Sequence, residues 1–538
     1  MPRPSLLPRL GARRGAALLL AALALVPGRA SLAAPAADYD LILRGGRIVD
    51  GTGNPWFRGD VGVRGDRIAA LGDLSDASAA TVLDVTDLLV APGFIDSHSH
   101  AGPGLATPGL SHGEPLLAQG ITTVFVNPDG GGAVDLPAQQ AALLADGLGV
   151  HVAQFVPHGA VREAVLGMAD RPPTDAELDA MRALVREGMA AGAWGLSSGP
   201  FYAPGSFAST AELVALAEVA AEFGGAYQSH VRDEADYGVG LMGALDEVIT
   251  IAREARLPGV HTHVKALGPS VWGFSGAIVA RIERARAEGV EVYTDQYPYL
   301  ASATSLAAAL LPRWAQAGGR AALLERLDDA TDAARIRTAV AENLARRGGA
   351  ERIAFRRVAH DPALEGRRLS EVAAQWGTSP VEATLRLVAA GDAGIISFNM
   401  DEADVRTLMR QPWTMTASDG GLVPFGEGVP HPRNYGTFPH KLRRYVLEEG
   451  VLSFEDAVRS MTSLPAQVYR MRDRGRLAPG MIADIVVLDP ATLTDRATFT
   501  APHQLAEGVV QLFVAGERAI ADGRFTGVKA GRVLRRGE

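Results

Sequence analysis

The sequence predicts an α/β protein: an eight-stranded parallel barrel of the TIM type, with a small β-sandwich built from both chain ends. Three observations carry that expectation. Short β-rich runs alternate with Ala/Leu/Glu/Arg-rich helical stretches through the middle of the chain. The two flanks share a different, Gly-punctuated texture of alternating apolar residues, and the polar residues of the middle gather where its β-rich runs end. A length of 538 residues, 47% of them hydrophobic, is ample for a buried core of that size.

In chain order, residues 1–33 read as a signal peptide. Arg3, Arg9, Arg13 and Arg14 form a positive n-region, residues 16–26 an apolar run, and Ser31-Leu32-Ala33 a cleavage site with small residues at −3 and −1. The run is shorter than the roughly 20 apolar residues that span a bilayer. Cleavage would take away five arginines and no acid, moving the net charge from −9 to −14. The expectation is an exported, acidic protein, periplasmic or extracellular, with no stable membrane insertion after cleavage. Such a charge gives no footprint for nucleic acid. The absence of cysteine excludes disulfides, lipoprotein anchoring, thiolate nucleophiles and thiolate metal ligands.

Residues 39–91 contain DLILRGGRIVDGTGNPWFRGDVGVRGDRIAALGDL, short β runs broken by Gly-Gly, Gly-Thr-Gly and Arg-Gly-Asp turns. Residues 475–538 repeat that texture in ADIVVLDP, GVVQLFVAGERAI and GRFTG. Paired, these ends make the sandwich and leave 92–474 as the barrel. Its eight strand candidates are GFIDSHSH, TTVFVN, VAQFVPH, AWGLSS, GAYQSH, GVHTHV, EVYTDQYPY and WTMTASDG. Residues 305–395 are too long for one βα loop and are helix-like, so they read as an inserted subdomain.

A TIM-type barrel works at the C-terminal ends of its strands, and there the sequence puts His98, His100, Asp129, His230, His263 and Asp419. In a strand, an H-x-H pair points both imidazoles to one side. Imidazoles and carboxylates together suit Zn²⁺. A lone H-x-H is more often chance or core hydrogen bonding, a lone His230 a satisfied core histidine, and Asp419 before two glycines a turn residue. Their coincidence at the strand ends, with four of the chain's twelve histidines, makes a metal site the better reading.

APGFIDSHSH resembles the first-strand signature of the amidohydrolase superfamily. GAWGLSSGPFYAPGSFAS, GGAYQSHVRDE, HTHVKALG, DQYPYLAS, TASDGG and HPRNYGTF resemble the D-aminoacylase (N-acyl-D-amino-acid deacylase) family within it. The resemblance implies metal-dependent hydrolysis of the amide bond of N-acyl-D-amino acids. His98 and His100 would form one side of a centre for one or two Zn²⁺ ions, and His230 and His263 the tighter site. Asp419 would be both ligand and general base. Lys265, Tyr299 and Arg433 match positions associated with the substrate carboxylate, and Tyr297 is an alternative to Tyr299.

The chain departs from the family at the end of the second strand. Asn127-Pro128-Asp129-Gly130 stands where the family commonly carries a cysteine ligand, which puts Asp129 in that place. A harder carboxylate would widen metal choice towards Mn²⁺ or Co²⁺. The fourth strand has no lysine, which disfavours the subclass that bridges two metals through a carboxylated lysine. The alternative reading is a dipeptidase or other amide hydrolase acting on peptidoglycan-derived or D-amino-acid compounds. Either substrate is a small molecule, and oligomeric state stays open.

Overall fold

Eight strands from the middle of the chain run parallel in the computed structural model, which describes residues 37–537; the signal peptide expected at 1–33 lies outside the described residues. The strands are Phe94–Asp96, Ile121–Val126, His151–Gln154 continued by Val156–Pro157, Gly195–Ser198, Ala226–Ser229, Gly259–His261, Val292–Gln296 and Thr414–Thr416. Each pairs with the next, as in Val124 opposite Val152, Ser198 opposite Ser229 and His261 opposite Thr294. The ring closes through the segments that follow the last and first strands. Asp419 N donates to His98 O at 2.9 Å and His100 N to Gly420 O at 2.8 Å.

Nearly every residue of these strands is buried, as expected where helices cover the outside of a parallel sheet. On the second strand, Val124 and Val126 join one apolar cluster, while Phe125 on the opposite face joins another. There Phe125, Phe155, Trp194 and Tyr469 pack ring against ring, with Phe125 and Tyr469 centroids 4.3 Å apart. The outer helices begin on caps the sequence supplies. Thr174 and Glu177 form a capping box before Asp175–Ala190, and Ser209 caps Thr210–Glu222.

Both chain ends meet in one nine-stranded sheet. Leu89–Pro92 runs antiparallel to Ile485–Leu488, with Val90 opposite Val487. The sheet turns back on itself where Arg67 bridges Ile482. Its inner face encloses Leu43, Val61, Val63, Ile68, Ile485 and Phe513. One part of the C-terminal stretch is not in this sheet. Val533–Leu534 pairs parallel with the first half of the third barrel strand, Val533 opposite Val152, and Trp194 Nε1 donates to Leu534 O at 2.8 Å. Of the third strand, the fourth pairs with Val156–Pro157 alone, so the earlier half of the third strand has an edge left to fill. Assigning all of 475–538 to the sandwich therefore overlooks a barrel strand.

The inserted stretch carries the expected helices, among them Ala330–Arg346 and Pro380–Ala390. It also carries a three-stranded antiparallel sheet of Ser302–Ser305, Gly394–Ser397 and Ile353–Arg357. Leu306, Ile336, Val340, Phe355, Leu369 and Ile395 form a core of its own.

Candidate metal centre

The strands end one to four residues before the polar positions, so all six candidate ligands stand on the segments just beyond them. Three of these residues have left-handed backbone: Asp129 at φ +57°, His263 at +37° and Asp419 at +48°. That conformation is costly for residues other than glycine and persists only where neighbours hold it. His263 N donates to Asp295 Oδ1 at 2.5 Å. Asp96 accepts from Ser418 N at 2.8 Å and also from the Ser418 hydroxyl, tying the segments after the first and eighth strands together. After the second strand, Gly130 has φ +71°, and a Cβ there would lie 2.9 Å from Gly159 N, so the turn that presents Asp129 requires glycine.

The six side chains converge as two overlapping groups, one of His98, His100, Asp129 and Asp419, the other of Asp129, His230 and His263. His98 Nε2 lies 3.4 Å from Asp129 Oδ1 and 3.6 Å from Asp419 Oδ1. His100 Nε2 lies 3.4 Å from Asp129 Oδ2 and 3.2 Å from Asp419 Oδ1. Asp129 also approaches His263 Nε2 at 3.6 Å and His230 Nδ1 at 3.9 Å, and so belongs to both groups. Both ring nitrogens of His98, Nε2 of His230 and Oδ1 of Asp129 are buried without a hydrogen-bond partner among the described residues. Such groups are costly to bury unless something satisfies them. A divalent ion would, so the residues present fit one.

Electrostatics sharpen the picture. Burial opposes charging His100, but hydrogen bonds to Asp129 and Asp419 outweigh it and raise the imidazole to about 9. In His263, burial and Lys265 oppose protonation, yet Asp129 and Glu234 lift it to about 10. His230, where burial wins, falls to about 3. Asp129 and Asp419 are held below the usual carboxylate range: burial opposes this, while His98 acts on Asp129 and Arg433 on Asp419. Protonated His100 and His263 thus balance Asp129 and Asp419, and a bound ion would displace those protons, because histidine ligates through a neutral ring nitrogen.

The centre opens into a cavity of about 950 Å³. Of the expected substrate-side residues, Lys265 and Arg433 line it and Tyr299 does not. Tyr299 stacks on His440 at 4.7 Å, whereas the Tyr297 ring lines the cavity beneath the Arg433 guanidinium, 4.7 Å from its centroid. Of the two tyrosines, Tyr297 is therefore the one on the cavity wall. Lys265 does not extend the sixth strand, which ends at His261, but its Nζ still reaches His263 Nδ1 at 2.8 Å. Both cations are engaged by protein carboxylates: Lys265 by Glu234, and Arg433 NH1 by Asp419 at 2.8 Å.

Sequence reasoning missed several neighbours. Glu234 stands four residues after His230, with its Oε1 3.2 Å from His263 Nδ1. Tyr202 brings its hydroxyl to 3.3 Å from His230 Nδ1. Both occur in stretches that carry the family resemblance, and that was the available signal. Arg347 and Arg356, from the inserted subdomain, also line the cavity, and nothing marks them among the chain's many arginines.

Comparison with known proteins agrees with this geometry. Residues 81–520 match the profile described as the amidohydrolase family. A D-aminoacylase of Alcaligenes xylosoxydans xylosoxydans is 37% identical over 93% of this chain and 98% of the relative. An N-acyl-D-glutamate deacylase of the same organism is 38% identical over 92% and 96%. Likeness this even does not choose between their substrates. A crystal structure of N-acyl-D-glutamate deacylase from Bordetella bronchiseptica, complexed with zinc and a phosphonate mimic of the tetrahedral intermediate, superposes with a TM-score of 0.78. It is 36% identical, over 92% of this chain and 99% of that one.

Proposed function

We propose, from the premise that this chain belongs to the amidohydrolase family, that it hydrolyses the amide bond of N-acyl-D-amino acids to a carboxylic acid and a D-amino acid. The observation that carries the reading is one cavity holding His98, His100, Asp129, His230, His263 and Asp419 beside the cations Lys265 and Arg433. His98, His100, Asp129 and Asp419 would hold one divalent ion, and Asp129, His230 and His263 a second, zinc being the ion of the Bordetella relative. When bound, such an ion polarises the amide carbonyl and brings the pKa of water towards about 7.

The protein's own groups do the rest. Arg433 and Lys265 receive the α-carboxylate, the first through a planar fork and the second as a point charge. The Tyr297 ring holds the Arg433 guanidinium in place from below. Asp419 takes the proton of the attacking water at a carboxylate oxygen and delivers it to the amide nitrogen as the amine departs. Glu234 and Tyr202 fix the imidazoles of His263 and His230.

The test is metal content by elemental analysis of wild type and Asp129→Ala, paired with hydrolysis of N-acetyl-D- and N-acetyl-L-amino acids. One or two ions in wild type, fewer in the variant, and D-selective turnover support the reading; a metal-free wild type sinks it. The proposal includes export, which the Arg-led apolar run at 1–33 supports. Among the described residues, no helix is long and apolar enough to cross a membrane. N-terminal sequencing of the protein recovered from cell fractions checks this, with residue 34 expected first.

A further inference from the structure

We infer that the preferred substrates are N-acyl-D-amino acids whose own side chain is acidic, and that Arg356, supported by Arg347, receives this second carboxylate. The inference rests on the deacylase reading and names the side-chain class that site accepts.

Four cations line the cavity, and they fall into two pairs. Lys265 and Arg433, at the barrel's mouth, are matched by Glu234 and Asp419. Arg347 and Arg356, from the inserted subdomain, have no carboxylate within ion-pair distance among the described residues. Arg347 is 1% exposed and its Nε has no partner; its NH1 meets only the side-chain amide of Asn399, at 3.3 Å. Arg356 lies in the strand Ile353–Arg357, with its Nε buried and unpartnered against Gly394. A Cβ on Gly394 would come within 2.9 Å of that nitrogen, so the backbone there is pared back to admit the guanidinium.

The subdomain does not lack acids. Arg357, the next residue, pairs with Glu365 at 3.3 Å and Glu427 at 2.5 Å, and Arg337 pairs with Glu382 at 2.6 Å. Carboxylates are provided on its outer side and withheld on the side facing the cavity. A buried guanidinium stays charged and is costly without a counter-ion. Burial and then the nearby Arg433 hold the pKa of Arg356 below its ordinary value, which fits a cation crowded by another and awaiting an anion. A monocarboxylate substrate offers its one anion to Lys265 and Arg433. A dicarboxylate supplies the second, and a planar fork accepts it through two parallel hydrogen bonds.

The experiment compares kcat/KM for N-acetyl-D-glutamate and N-acetyl-D-aspartate with their isosteric amides, N-acetyl-D-glutamine and N-acetyl-D-asparagine. It uses metal-loaded wild type, Arg356→Gln and Arg356→Lys. Wild type should favour each acid over its amide at least tenfold, since a site built around a charge rejects the analogue that lacks it. Arg356→Gln should reduce that ratio tenfold or more, while Arg356→Lys, which keeps the charge, retains most of it. Thermal melts show whether each variant is folded, and Arg347→Gln, which should lower the same ratio, carries the test if Arg356→Gln disrupts the strand. Equal rates on acid and amide in wild type, or an unchanged ratio in Arg356→Gln, overturn the inference and leave the deacylase reading standing. No turnover of any N-acyl-D-amino acid overturns both.

Discussion

At the scale of single residues, the site's chemistry hangs on side chains that the barrel presents but does not bury in regular strand. Asp419→Asn keeps the shape and the link to His98 O while removing the proton acceptor. It should lower kcat by about 10²–10⁴-fold in steady-state kinetics, with calorimetry checking that the variant is folded. Lys441 offers a second test away from the centre. Buried, and donating to Thr416 Oγ1 at 2.8 Å and Ser460 Oγ at 3.0 Å, it has its pKa pushed down by burial to about 7. Between that value and the unfolded value near 10.5, the unfolded chain binds the extra proton, so wild-type stability should rise with pH across that window. Urea titrations at pH 6.5 and 9.5 should show a rise in wild type that Lys441→Met lacks. Much of this scale was legible beforehand. Asp129 was found by counting along the second strand, and His98 and His100 by alternation. Tyr299 rests on the family resemblance with Tyr297 as its alternative, and since the strand ends at Gln296 and Pro298 follows, alternation does not tell which ring faces the cavity.

At the scale of elements, one buried carboxylate joins sheet and barrel. Asp484, at the head of Ile485–Leu488, accepts from His151 Nε2 of the third barrel strand at 3.1 Å and from Ala515 N at 2.8 Å, and it pairs with Arg474. Burial works against ionisation, but His151 and Arg474 hold its pKa low. Its stabilisation is thus present above the ordinary carboxylate range and lost as pH falls through the lowered value. Asp484→Asn strands the buried Arg474 cation and should cost about 3–5 kcal/mol in chemical denaturation. The eight barrel strands were each visible as apolar runs, but their ends were not. Expected strands such as GVHTHV run on past the observed Gly259–His261, because left-handed turns at positions like His263 break the ladder without any glycine to signal it. The inserted sheet was hidden for a different reason: Ser302-Ala303-Thr304-Ser305 is short and polar, and its partners lie far along the chain.

At the scale of the whole molecule, both ends were read as one sandwich, and the composition of 475–538 supports no finer division. Where the last residues go depends on an edge left open on the third barrel strand, which is a property of the assembled ring and not of any local pattern. Removing residues 531–538 deletes the bonds from Gly531 N to Leu148 O at 2.7 Å, from Val152 N to Arg532 O at 2.9 Å and from Trp194 Nε1 to Leu534 O. At about 1 kcal/mol each, these three bonds alone cost the truncated protein about 3 kcal/mol, and the loss of further bonds such as Arg536 N to Gly192 O adds to a fall measurable as a lowered urea midpoint. The strand Val533–Leu534 also sets an order of events. A ribosome, or a channel that passes the chain in from its N-terminus, delivers these residues after every catalytic side chain. The gap beside His151–Gln154 stays unfilled until then, so an unfinished chain holds all six candidate ligands on a ring that is not yet sealed.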